Sequence, residues 1–246
     1  MSKTDLYSTN IKDIFEEYEI DTLPEQLRTQ VLCELIKKNK IYFSDIPKEY
    51  LNYSICLYAI KTHATKYDLE LIPDEYKTEE LYIIFINKTH IFRLIPVHMR
   101  TESFYLKLIK STDNHLILRA VPDEYKTEDM CLICMQYNMF SFDDTPEHFK
   151  TEEFNLKALQ RNSEIFMIMK DKYRTIKICL EAVRLNGENI IHVPHNLKTE
   201  ELCNIAINYL IEKKVISNTI TQYIPKKYTE IKKRYLTFLR NSFFSF

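Results

Sequence analysis

The chain has 246 residues, 45% of them apolar, with 34 basic side chains against 35 acidic ones. So large an apolar share excludes a disordered chain, and a net charge of −1 excludes wholesale attraction to nucleic acid or an anionic membrane. There is one glycine, Gly187, where an average usage of about 7% predicts roughly 17, so no Walker loop, dinucleotide fingerprint or G-x-S-x-G elbow can be written.

Residues 1–22 carry six acids and two lysines without an apolar h-region, which predicts an N-terminal cap and no signal peptide. From residue 23 the chain repeats itself. Anchor positions fall at Pro24, Pro47, Pro73, Pro96, Pro122, Pro146, Lys170 and Pro194, spaced 23–26 residues apart. Five residues after each anchor stands Thr29, Asn52, Thr78, Thr101, Thr127, Thr151, Thr175 or Thr199. Threonine and asparagine are helix N-caps, whose side-chain oxygen accepts a hydrogen bond from an otherwise unpaired N–H. Acids such as Glu79-Glu80 and Glu200-Glu201 follow, where the helix dipole favours negative charge.

Counted from the cap, positions +3 and +7 are apolar in every unit and +8 in all but the first, where Lys37 stands. This spacing predicts a helix of about 10–13 residues per unit. Asn138, Asn162 and Asn186 are placed to end helices in the left-handed conformation. A short second helix or turn then runs into the next proline. No unit can bury its apolar face alone, so stacking is required. The expected fold is an all-α helical-repeat solenoid of about eight units over residues 23–222, forming a single domain. Residues 223–246, with six basic residues and one acid, are expected to form a C-terminal capping helix in which Tyr235, Leu236 and Leu239 cover the last repeat. The competing reading of this segment is a basic docking tail for a membrane or an acidic partner.

The unit written "VPHNLKTEELCNIAI" after "KICLEAVRLNGENIIH" resembles a family of uncharacterised tandem helical repeats of giant amoeba-infecting DNA viruses and some bacteria. The resemblance covers about four-fifths of the chain and is closest in the units at Pro146, Lys170 and Pro194. It implies α-helical repeats, a binding role, and a place in the host cytoplasm or a viral factory. It supplies no catalytic residues. The family's repeat glycine survives only as Gly187, with Ser163 and Met139 among its replacements.

Candidate chemistry is sparse. Cys131 and Cys134 form a C-x-x-C, but Cys33, Cys56, Cys131, Cys179 and Cys203 share register position +4 and Cys134 stands at +7, both on the buried face. They read as core thiols, reduced in a cytosolic setting. His192 and His195 are the only close histidine pair, too few for a metal site. No catalytic residue, metal or cofactor is assigned. No apolar run approaches the roughly 20 residues of a membrane span. Arg28, Lys77, Arg100, Lys126, Lys150, Arg174 and Lys198 precede the cap in seven of eight units, beside aromatics such as Tyr50, Tyr76, Tyr125, Phe149 and Tyr173. Displayed, such a ladder would track the backbone of single-stranded RNA or touch a partner. The competing reading makes the aromatics packing groups and the cations a solvated rim offset by the acids after the cap. The favoured function is a non-enzymatic protein–protein interaction scaffold. The alternatives are a single-stranded RNA-binding repeat protein and, behind it, a virion or assembly component.

Overall fold

The structure, a computed structural model, describes residues 11–63, 65–112, 116–217 and 219–243. It is all-α, with no strand among the described residues and no helix there long and apolar enough to cross a membrane. The helical repeats divide into two compact units, Met1–Ser111 and Thr112–Phe246.

In the first unit, α1 (Ile11–Glu17) packs on a 3-10 turn at Ile20–Thr22 and buries Ile14. Residues 1–10 of the expected N-terminal cap lie outside the described residues. There follow α2 (Glu25–Lys37), α3 (Tyr53–His63), the short α4 (Lys66–Leu71), α5 (Glu79–Thr89) and α6 (Glu102–Lys110). The long helices stack in order, α2 on α3, α3 on α5, and α5 on α6. In the second unit the helices are α7 (Glu128–Tyr137), α8 (Glu152–Arg161), the short α9 (Ile165–Ile168), α10 (Ile176–Leu185), α11 (Glu200–Glu212) and α12 (Thr229–Phe243). Here α7 packs on α8, α8 on α10, α10 on α11 and α11 on α12.

The +3 residues, from Leu32 to Leu202, and the +7 residues, from Ile36 to Ala206, are buried in all eight repeats. Ala158, Ala182 and Ala206 stand at +7 in three successive helices of the second unit, where small side chains let the backbones approach. The side chain at +4 also reaches back to the start of its helix. The Cys179 thiol donates to the Arg174 carbonyl at 3.7 Å, and the Asn155 amide donates to the Lys150 carbonyl at 3.3 Å.

The motif repeated before the long helices has a local cause. In "IPDEYKT" the proline cannot donate an N–H, and the three residues after it form one 3-10 turn, as at Asp74–Tyr76 and Asp123–Tyr125. The residue at +3 from the proline donates its N–H to the proline carbonyl at 3.0 Å in both copies. The threonine then caps the long helix. Thr78, Thr101, Thr127, Thr151, Thr175 and Thr199 accept from the N–H three residues on, and Asn52 does the same for Ile55. Each such cap contributes about 1 kcal/mol.

Thr29 departs from the expected role. Helix α2 begins directly at Glu25, so Thr29 lies inside it and its hydroxyl donates to the Glu25 carbonyl at 2.9 Å. Glu25, Gln26, Leu27 and Arg28 are all good helix formers, and the Arg28 N–H reaches Pro24 in an α-helical bond instead of stopping in a 3-10 turn. The helix-ending asparagines also depart from expectation. Asn138, Asn162 and Asn186 are extended, with φ between −144° and −155°. Their side chains start the second segment, accepting from the N–H of Phe140, Glu164 and Glu188 at 3.0 Å. This Asx geometry competes with the left-handed cap and wins because it satisfies a donor of the next turn.

At the far end of the second unit, Tyr235 is fully buried, and its hydroxyl donates to the Val215 carbonyl at 2.8 Å and accepts from the Ser217 N–H at 3.2 Å. Ile231 and Leu239 are buried with it. Leu236, expected to cover the last repeat, is instead 38% exposed. Helical periodicity places 231, 235 and 239 on one stripe and 236 off it.

Candidate interaction surface

The cations before the caps do not stand free in solvent. In the second unit Lys126 is 5% exposed, held by the Asp123 carboxylate at 2.8 Å and donating to the Asp144 carbonyl at 2.6 Å. Lys150 is buried to a similar degree, 3.7 Å from Glu147 and 5.0 Å above the Phe142 ring. Arg174 pairs with Asp171 at 2.9 Å, donates to the Phe166 and Met167 carbonyls, and lies over the Phe166 ring. In the first unit Lys77 pairs with Asp74 at 2.8 Å, and Arg100 donates to the Ile95 carbonyl through two nitrogens. Arg28 donates to the Ile20 and Leu23 carbonyls and lies 4.4 Å over the Tyr50 ring.

For Lys77, Lys126, Lys150 and Arg174 the partner is thus the acid one residue after the anchor, across the 3-10 turn, not the acids after the cap. All of these cations but Lys77 also tie their turn to the segment before or after it. Arg100 has no such acid, Val97 filling the slot, and neither has Lys198, where His195 fills it. The Lys198 ammonium lies 5.1 Å over the Tyr223 ring, and burial pushes its pKa below the usual lysine value. The ladder aromatics are engaged as well: the Tyr50 hydroxyl donates to Asp21 at 2.6 Å, that of Tyr76 to the Leu51 carbonyl at 3.4 Å, and that of Tyr173 to Glu147.

The thiols are core groups. Cys56, Cys131, Cys134, Cys179 and Cys203 are buried, and burial pushes four of them up to about 11 and Cys134 up to about 12. A thiol raised so far stays protonated at neutral pH and is a poor nucleophile. In folded protein at about pH 7.5, alkylation is expected to reach only the half-buried Cys33, with all six labelled after unfolding. Rapid native labelling of Cys131 or Cys134 would reinstate a redox or metal role for the C-x-x-C. His192 is half-buried and its pKa is lowered, first by burial and then by the neighbouring Arg174 and Lys198 charges, while His195 is exposed. No three potential metal-ligating side chains converge among the described residues.

What three successive repeats of the second unit do display is side chains at +10, at the C-terminal end of the long helix. These are Tyr137, Arg161 and Leu185, while the equivalent Tyr209 of α11 is half-buried. All three are exposed, Tyr137 by 59%. They line an open groove of about 530 Å³ along the C-terminal ends of α7, α8 and α10. The Asn162 amide donates to the Met135 carbonyl at 3.1 Å and ties two of these helix ends together. An aromatic, a guanidinium and an aliphatic chain therefore sit in successive repeats on equivalent backbone. The sequence signal was available: +10 varies in chemistry between units in which +3 and +7 stay apolar.

No family model matches the chain, and neither a curated protein nor a solved structure matches it.

Proposed function

We propose that the protein is a non-enzymatic scaffold that holds a protein partner against the outer face of its helical repeats. The observation that carries this reading is the +10 groove, where Tyr137, Arg161 and Leu185 present three different chemistries on a repeated frame. Tyrosine and arginine are the side chains that most often anchor protein interfaces, and a rigid helix end holds them at small entropic cost. As the repeat resemblance implies, the scaffold works in a host cytoplasm or viral factory, and assembly of a viral particle is one setting for it. The single-stranded RNA alternative loses the feature that suggested it, because the seven cations are engaged within the fold.

The test is a pull-down from host lysate, read by mass spectrometry, with the parent chain and with Tyr137→Ala/Arg161→Glu/Leu185→Ala. These side chains are exposed, so circular dichroism should be unchanged. A partner held by the parent and lost by the triple variant supports the reading. A partner held equally by both refutes the groove, and low-salt RNA binding with no protein partner replaces the scaffold by the alternative.

A further inference from the structure

Two surfaces at the ends of the described chain complement each other. In the first unit, α1 and the turns at Ile20–Thr22 and Phe43–Asp45 border a cleft of about 490 Å³. Phe15, Pro47 and Tyr50 give it an apolar lining, with the Phe15 and Tyr50 rings 6.3 Å apart. Glu16, Asp21, Asp45 and Glu49 line it as well, against one base, Lys12. In the second unit, the outward stripe of α12 has the opposite character. Leu236 is exposed there, with Lys232 and Lys233 one turn before it, Lys233 in an exposed pair with Glu230 at 2.8 Å, and Arg240 one turn after it. Among residues 226–243 six are basic and only Glu230 is acidic.

We propose that the α12 stripe of one copy docks into the cleft of a second copy, with Leu236 entering between Phe15, Pro47 and Tyr50 and the flanking cations meeting Glu16 and Glu49. The argument is complementarity on two counts. An apolar knob ringed by positive charge faces an apolar cleft ringed by negative charge, and each is a helix-scale surface. The ends differ, so the contact is heterologous: a copy that receives α12 in its cleft still presents its own α12. Mass therefore rises with concentration. The interface is small, so association is weak and strongly dependent on salt. The inference is independent of the +10 groove, which every variant below leaves intact.

The experiment is sedimentation velocity of the full chain across concentrations, up to about 200 μM, in roughly 20 mM and 300 mM salt. The parent should associate at low salt and dissociate at high salt. Glu16→Lys/Glu49→Lys and Lys233→Glu/Arg240→Glu should each weaken association at least tenfold, since like charges then face each other. An equimolar mixture of the two variants should associate again, because each cleft then meets a helix of opposite charge. Leu236→Asp should weaken it without changing the circular dichroism spectrum. A parent that stays monomeric at low salt overturns the proposal. So does association that is indifferent to the reversals, or a mixture that fails to restore it.

Discussion

Replacing Gly187 by alanine is expected to destabilise the second unit by about 1–3 kcal/mol, the usual cost of forcing one extra group into a packed site. Gly187 is buried at the start of the 3-10 segment Gly187–His192, which lies against α11. A Cβ there would stand 2.8 Å from the Ala206 carbonyl oxygen, 2.9 Å from Tyr209 Cδ1 and 3.0 Å from Tyr209 Cβ. The first contact is with the backbone of a helix interior, which cannot swing aside as a side chain can, so α11 itself must shift. The glycine is not needed for its backbone angles, because its φ is not positive. Alanine would therefore gain a little from a less flexible unfolded chain, about 0.4–1 kcal/mol, and the clash must exceed that. Ser163 and Met139, at the equivalent place in earlier repeats, carry side chains without difficulty. Ser163→Ala should be nearly neutral. Urea unfolding followed by circular dichroism reads both, and a Gly187→Ala chain as stable as its parent would show that the contact with α11 is not tight.

Lys126→Ala is expected to cost about 1.5–3 kcal/mol, the range for a hydrogen bond to a charged group whose neutral partner is left in a protected site. The ammonium closes the Asp123 turn and also reaches the Asp144 carbonyl, two residues before the next repeat's Pro146. Removing it frees both. Lys77→Ala is the comparison. That side chain is 22% exposed and its partner Asp74 almost fully so, which makes it a surface pair of at most about 1 kcal/mol. Thermal unfolding of the two variants gives the ranking. If Lys126→Ala kept full stability but lost affinity for single-stranded RNA, the cation ladder would be a recognition surface after all.

Most of the secondary structure could be read from residues alone, and the reasons are local. A threonine oxygen caps the helix three residues away, and apolar side chains three and four apart share a face, whatever the rest of the chain does. Thr29 shows where this fails. The motif has the right spacing, but strong helix formers between Pro24 and Thr29 carry the helix through it, and spacing does not report that competition. The extended asparagines fail for the same reason, since one side chain suits either of two turns and the neighbouring donors choose.

The surface was much less legible. Sequence alone makes the cations before the caps a displayed ladder or a solvated rim, yet Lys126 and Lys198 are buried and the Lys150 side chain is 8% exposed. Lysine can bury its stem and still find a carboxylate or carbonyl for its head, and whether it does depends on where the next repeat lies. Leu236 stands off the stripe of Ile231, Tyr235 and Leu239, and helical spacing alone separates it from them.

By itself the sequence determined the repeat length, the all-α class, the seven working caps and the identity of the buried face, because these depend on contacts within about one repeat. Only the tertiary structure decided which side chains face outward at helix ends, which cations are used up in holding turns together, and why one glycine stands against α11. Those are distances between repeats, set by how the helices pack and not by the spacing of residues within one repeat.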